Sequence, residues 1–182
     1  MNTKLFFIRK IKALFIKFKL HTILKPFDGL FLNMIYLSRL SQWVSNNRKL
    51  AFNDFYNSKV VYNDRFKLHE YVINEEIKDN NFDYLEFGVA EGVAFKWWVN
   101  KIKNPNCKFY GFDVFTGLPE DFGVMKKSDY DTKGNTPKID DSRAQFVSGM
   151  FQDSLPVFLK SYNSTKRKVI HMDADLYTST LF

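Results

Sequence analysis

One stretch of this chain constrains its fold most: an apolar run that is interrupted by an acid and followed by two glycines. Residues 82–87 form the run, Gly88 and Gly92 follow it, and residues 93–102 have the spacing of a helix. Glycine reaches backbone angles that other residues resist and lets a ligand approach the main chain. A helix start offers unpaired N–H groups and a partial positive charge. The stretch therefore predicts a strand, a tight turn and a helix that together bind a nucleotide-like or carboxylate-bearing ligand.

The segments after this turn alternate between strand and helix patterns. Residues 108–113, 144–148 and 169–172 predict three further strands, and a helix predicted over residues 154–162 carries Pro156 in its first turn, where proline is tolerated. This order predicts an α/β fold, a Rossmann-like doubly wound parallel sheet of about four strands with right-handed crossovers. A sheet of this kind binds its ligand where the strand order reverses, between strands one and four.

An acid closes the second predicted strand. Asp113 lies 21 residues beyond Gly92, and an acid at this strand tip accepts hydrogen bonds from ribose hydroxyls. Nicotinamide nucleotides and methionine-derived nucleotides would both use it. The dinucleotide fingerprint has a glycine where Ala90 stands in this chain. The residues by themselves therefore favour a nucleotide cofactor and leave its class open.

The segment between the second and third strands is long and polar. Residues 114–137 contain five glycines or prolines and two adjacent lysines. Loops of this length in compact domains are usually functional or disordered. The segment is interpreted as a lid over substrate, with a solvated loop as the alternative.

The charge of the chain divides it into two parts. Of its net +7, residues 1–50 contribute ten Lys or Arg against one acid, a net +9, and residues 51–182 contribute a net −2. We interpret residues 1–63 as a basic helical arm and residues 64–182 as the α/β domain, whose first helix is capped by Asp64. Because the domain is nearly neutral, we expect no nucleic-acid partner.

Residues 4–20 of the arm predict a basic amphipathic helix. Phe7, Ile11, Leu14 and Phe18 fall on one stripe, flanked by lysine and arginine. Two interpretations stay open: the helix lies on an anionic membrane surface, or it packs on the domain or on a partner subunit of a homo-oligomer. A second helix is predicted over residues 30–44.

The basic residues of the arm also bear on localisation. They interrupt every uncharged run well before the length of a membrane span, and there is no short uncharged core with a small-residue cleavage site. We expect a cytoplasmic protein. The basic helix leaves open the alternative that the protein contacts the inner face of the membrane peripherally.

Three segments of the domain resemble the macrocin O-methyltransferase family. They are residues 84–92 (YLEFGVAEG), 111–120 (GFDVFTGLPE) and 171–180 (HMDADLYTST), and residues 146–156 (FVSGMFQDSLP) add a looser likeness. The family comprises class I S-adenosylmethionine-dependent methyltransferases that methylate sugar hydroxyls of macrolides and related glycosides. The resemblance implies S-adenosylmethionine as cofactor, magnesium as a second cofactor, and a glycoside or glycan as acceptor.

The resemblance also implies a role for individual residues. For the cofactor, these are Glu86, Gly88 and Gly92 around the methionine part, Asp113 at the ribose, and Met150, Phe151 and Gln152 beside the adenine. For catalysis, the resemblance makes Asp173 a magnesium ligand and Asp175 the general base. Such chemistry suits a sugar hydroxyl, a poor nucleophile, because a metal lowers its pKa and a carboxylate takes its proton. The alternative role for both acids is to cap the helix that follows them.

The chain departs from the family in its length. The family completes its metal site with acids on a further strand, whereas this sequence stops at Phe182. We therefore expect a domain truncated after its fourth strand, with incomplete metal coordination, that is inactive alone. Two other functions remain as alternatives: an NAD(P)-dependent oxidoreductase of Rossmann fold, and a non-catalytic module that docks on a membrane or a partner.

Overall fold

The structure is a computed structural model that describes residues 3–49, 65–78 and 81–181 of the chain. It divides into two compact units, Met1–Val61 and Tyr62–Phe182. The helix cap predicted at Asp64 and the domain boundary predicted after residue 63 lie outside the described residues, so both stay predictions.

The first unit is a succession of helices. These are α1 (Thr3–Lys17), α2 (His21–Leu24), a 3-10 turn (Lys25–Phe27) and α3 (Asp28–Asn46). The two predicted helices are present, and Pro26 lies in the 3-10 turn between them. None of the described side chains of this unit, residues 3–49, is buried. Across the described parts of the chain, no helix is both long and apolar enough to cross a membrane.

The second unit is built on a sheet of four parallel strands. They are β1 (Phe82–Phe87), β2 (Lys108–Asp113), β3 (Ala144–Ser148) and β4 (Arg167–Met172), in the order β3-β2-β1-β4. The chain adds β2 and β3 on one side of β1 and then crosses to add β4 on the other side. The predicted α/β fold with a Rossmann-like parallel sheet is confirmed, and the strand order reverses between β1 and β4 as expected.

The helices of this unit are α4 (Arg65–Tyr71), which continues as a π-helical turn (Val72–Ile77), and α5 (Val93–Lys101), α6 (Phe151–Ser161) and α7 (Tyr177–Leu181). Helix α6 begins three residues before the predicted start. Its first turn forms directly after the strand because the Met150 carbonyl accepts the N–H groups of Asp153 (3.0 Å) and Ser154 (2.9 Å). The prediction that Pro156 occupies the first turn is therefore wrong, since Pro156 lies inside the helix.

Two apolar cores sandwich the central strand. On one face Phe95, Trp98 and Val99 of α5 pack against Phe82, Tyr84 and Phe109. On the other face Phe151, Leu155 and Phe158 of α6 pack against Leu85, Phe87 and Phe112. Successive side chains of a strand point to opposite faces, so a strand covered on both sides reads as a continuous apolar run. All six residues of β1 are buried for this reason.

Two cations tie the loops together at the edge of the sheet where the strands begin. Arg143 donates to the carbonyls of Val99 (3.0 Å) and Ile102 (2.7 Å) at the end of α5. Lys166 and the Tyr162 hydroxyl both donate to the buried carboxylate of Asp83, each at 2.9 Å. Burial raises the pKa of Asp83, but these hydrogen bonds, with one from Ser164, outweigh it and hold the pKa below its usual range. Asp83 is therefore held ionised inside the sheet.

Candidate functional site

A cavity of about 390 Å³ opens at the carboxyl ends of the strands. It lies where β1 and β4 are neighbours, the switch point at which doubly wound sheets bind their ligands. Its volume is in the range of small-molecule sites. The structure brings to its wall seven of the residues that the sequence singled out, namely Glu86, Gly88, Asp113, Met150, Phe151, Asp173 and Asp175.

The turn after β1 is bound to the end of β2. One carboxylate oxygen of Asp113, Oδ2, accepts the N–H groups of Val89 (2.7 Å) and Ala90 (2.8 Å), and Oδ1 accepts the N–H of Phe115 (2.9 Å). The Gly88 N–H donates to the carbonyl of Phe112 at 2.9 Å. Three successive N–H groups of the turn are thus satisfied within the protein. A carboxylate has about four acceptor positions, so Asp113 keeps roughly one for a ligand.

Both glycines of the turn are required by their protein neighbours. Gly88 has φ +91°, and a Cβ placed on it would lie 2.5 Å from the carbonyl oxygen of Asp173. Gly92 has φ +75°, and its Cβ would lie 2.6 Å from Cγ of Pro137. Gly92 is buried under the loop that follows β2 and is not among the residues that line the cavity. The structure therefore does not place Gly92 at the cavity beside Glu86 and Gly88, where the resemblance put it, and what its lack of a side chain allows is the close approach of Pro137.

Glu86 is a buried carboxylate in the cavity wall, with 1% of its surface exposed. The Tyr84 hydroxyl donates to its Oε2 at 2.5 Å, and His171 Nδ1 lies 3.0 Å from that hydroxyl and 3.4 Å from the same Oε2. Burial, and then the charge of Glu86, raise the pKa of Tyr84 far above its ordinary value. The tyrosine therefore stays a proton donor and fixes the orientation of the carboxylate.

A second histidine, His69, lies next to His171. The His69 ring is buried and lies 5.2 Å from the ring of His171, edge to face. Burial lowers the pKa of His69 to about 4, the charges of His171 and Arg65 add to the effect, and Asp173 opposes it. Its Nδ1 is buried with no hydrogen-bond partner among the residues that the structure describes. His69 is thus a neutral side chain at neutral pH.

Two carboxylates follow β4 and face the cavity. The Asp173 N–H donates to the carbonyl of Phe87 at 2.9 Å, which extends the pairing of β4 with β1 by one residue. Burial and the charge of Asp173 raise the pKa of Asp175 above its ordinary value. Asp175 is also accessible from solvent. A carboxyl group with a raised pKa that an acceptor can reach has the properties of a general base.

The described residues supply only part of a ligand set at the predicted magnesium site. Residues 3–49, 65–78 and 81–181 contain no group of three or more His, Cys, Asp or Glu side chains that could hold a metal ion. Magnesium often binds proteins through one or two carboxylates and completes its shell with water and substrate. Asp173 stays the predicted magnesium ligand.

The cavity wall also includes residues that the sequence did not indicate. Arg65 reaches it from the start of α4, and Tyr130 reaches it from the segment between β2 and β3. Gly117, Leu118 and Pro119 of the same segment line the cavity too, as expected for a lid. The segment is folded on itself, since Leu118 N–H donates to Asp129 at 2.9 Å and Ser128 N–H donates back to Leu118 at 2.9 Å.

A smaller cavity of about 330 Å³ adjoins the first. Gln152, which the sequence placed beside the adenine with Met150 and Phe151, lines this second cavity and not the main one. Glu120, Thr178 and Ser179 give it further polar side chains, and Met150 borders both cavities. The two cavities therefore adjoin each other across the residues that they share.

Comparison with protein-family models, with curated proteins and with solved structures found no match to this chain.

Proposed function

We propose that the second unit is an S-adenosylmethionine-dependent O-methyltransferase that methylates a sugar hydroxyl of a glycan or glycosylated small molecule. One observation carries the choice of cofactor. The N–H groups of Gly88, Val89 and Ala90, which would cradle a pyrophosphate in a dinucleotide site, already donate to the end of β2. A pyrophosphate at this turn would also meet the carboxylate of Asp113. The geometry therefore favours a nucleoside cofactor without phosphate over NAD(P).

The charges in the cavity wall suit the amino-acid end of that cofactor. Glu86 offers a buried, oriented carboxylate for the ammonium group, and Arg65 offers a guanidinium for the carboxylate. Asp113 keeps an acceptor position for a ribose hydroxyl. Each of these groups lies on a strand end or a helix, which holds it in place before the ligand arrives.

Methyl transfer then depends mainly on positioning. The cofactor supplies a sulfonium methyl group. Asp175 would take the proton that the acceptor hydroxyl loses on methylation, so that the methylated oxygen and the thioether left behind are both neutral. The raised pKa of Asp175 favours this proton transfer. The adjoining cavity, with the polar side chains of Glu120, Gln152 and Thr178, suits a hydroxylated acceptor.

The test is calorimetric titration of S-adenosylhomocysteine into the full chain, with NAD as the comparison ligand. We expect selective binding of S-adenosylhomocysteine, weakened about tenfold to a hundredfold in Arg65→Gln, since a charge-assisted hydrogen bond contributes about 1.5–3 kcal/mol. The matched control is Lys67→Gln, which removes the same charge two residues along α4 without touching the cavity wall. Equal binding of NAD, or binding of neither ligand by a folded chain, would contradict the proposal.

A further inference from the structure

The helical arm exposes an unusual amount of apolar surface. Twenty large apolar side chains between Leu5 and Trp43 are exposed. Single exposed apolar residues are normal on proteins, but twenty of them in one succession of helices mark an interaction site. The question is which partner covers it.

The lysines of α1 lie against its apolar side. Phe7, Ile11, Leu14 and Phe18 recur at helical spacing, and all four are exposed. Lys10 Nζ lies 4.8 Å from the ring centroid of Phe6, and Lys17 Nζ lies 5.8 Å from that of Phe18. Long cationic side chains that follow apolar surface in this way carry their charge to its border. The helix thus presents apolar rings and ammonium groups side by side.

Helix α3 also exposes large apolar side chains, with a different composition. Leu30, Leu37 and Val44 recur every seven residues, and Tyr36, Leu40 and Trp43 lie beside them at helical spacing. Five of these six side chains are exposed, and Val44 is half-buried. Tyrosine and tryptophan are enriched where the hydrocarbon of a bilayer meets its headgroups. The composition of α3 therefore fits the boundary between an apolar and a polar layer.

Charge selects among the partners that could cover this surface. The arm carries a net +9 over residues 1–50, so a second copy would set two strongly positive surfaces against each other. Residues 51–182 carry only −2 in total and offer little compensation. An anionic lipid surface supplies both hydrocarbon and dense negative charge.

We propose that the helices of the arm, which lie within residues 3–46, bind the surface of an anionic lipid bilayer. The helices lie in the headgroup layer with their apolar side chains inserted, because no described helix is suited to span. This proposal concerns the first unit and does not depend on the activity of the second.

The first test is sedimentation of the full chain with vesicles. One set contains phosphatidylcholine alone and the other contains about 30% phosphatidylserine. We expect at least tenfold stronger binding to the anionic set. This binding should weaken as NaCl is raised from about 0.1 M to about 0.5 M, because the electrostatic screening length shortens from about 10 Å to about 4 Å. Equal binding to both sets, or no binding to either, would overturn the proposal. A salt-resistant dimer that ignores vesicles would instead identify a second copy as the partner.

Two variants separate the contributions of charge and apolar surface. The charge variant replaces four arm lysines by Gln at Lys10, Lys12, Lys17 and Lys19. Its matched control removes the same charge from exposed positions of the second unit, Lys96, Lys103, Lys108 and Lys138. With about 1 kcal/mol per cation near an anionic surface, the arm variant should bind about a hundredfold more weakly or worse, and the control should stay within about threefold.

The apolar variant replaces Phe7, Ile11, Leu14 and Phe18 by Ser and keeps every charge. We expect it to lose sedimentation at 0.5 M NaCl, where burial of apolar side chains has to hold the chain on the bilayer. Because these side chains are exposed, the second unit should unfold at the same urea concentration as in the parent. An arm-charge variant that binds like the parent chain would refute the proposal, as would an apolar variant that keeps full binding at high salt.

Discussion

The substitution Gly88→Ala tests how closely the end of β4 approaches the turn after β1. Two costs add. A residue with a side chain is strained at φ +91° by about 1–2 kcal/mol. The new Cβ would also lie 2.5 Å from the carbonyl oxygen of Asp173, a backbone atom that moves only with its strand, and overpacking of this kind costs about 1–3 kcal/mol. We expect Gly88→Ala to lower the free energy of unfolding by roughly 2–5 kcal/mol.

Gly134→Ala is the matched control. Gly134 also has a positive φ, +73°, but no atom of the described residues would lie within 4 Å of its Cβ. Only the backbone strain applies, so we expect a loss of about 1–2 kcal/mol. The assay is urea unfolding followed by the fluorescence of Trp97 and Trp98 beside the sheet. Equal losses in the two variants would refute the contact between the turn and β4 as the reason for the glycine.

Three further predictions concern binding and stability. Asp113→Asn, which removes the charge that holds the turn, should weaken S-adenosylhomocysteine binding at least tenfold and lower the free energy of unfolding by about 1–3 kcal/mol, measured by calorimetry and urea unfolding. Lys166→Met should cost about 2–4 kcal/mol because it leaves the buried Asp83 unpaired, whereas Lys101→Met, from a half-exposed pair with Glu70, should cost under about 1 kcal/mol in the same urea assay. Folding lowers the pKa of His69 to about 4, so between pH 6.5 and pH 4 the unfolded chain binds a proton at His69 that the folded chain does not. The free energy of unfolding should therefore fall by about 3 kcal/mol as the pH is lowered from 6.5 to 4, and His69→Phe should flatten this part of the pH profile.

The strands were predictable because each is an apolar run bounded by turn residues. Residues 82–87, 108–113 and 144–148 were predicted with the bounds that the structure has, and β4 begins two residues before its prediction. The parallel direction of the strands followed from the alternation of strands and helices, and the reversal between strands one and four from the doubly wound fold. The start of α6 differs from its prediction because proline is common in the first turn of a helix, whereas here the carbonyl of Met150 begins the helix before Pro156 is reached.

The composition of the site was predictable only where it depends on strand ends. Glu86, Asp113 and Asp173 lie at the carboxyl ends of neighbouring strands, so their order along the chain was enough to bring them together. Arg65 and Tyr130 enter the cavity wall from elements remote in sequence, and no local pattern distinguishes them from other exposed arginines and tyrosines. The partners of Glu86 were hidden for a similar reason, since Tyr84 and His171 meet only when β1 pairs with β4.

The ties of Arg143 and Lys166 have a consequence for how this domain could change over time. They hold the loops at the edge where the strands begin, and the cavity lies at the opposite edge. Part of the stability of the sheet therefore comes from the end of the strands that takes no part in ligand binding. A lineage could exchange the side chains around the cavity, and with them the acceptor, while the hydrogen bonds of Arg143 and Lys166 keep the sheet assembled. For the same reason, a library of cavity-wall variants that keeps Gly88 and Asp113, which hold the turn, should retain a large folded fraction and is the natural starting material for selecting new acceptors.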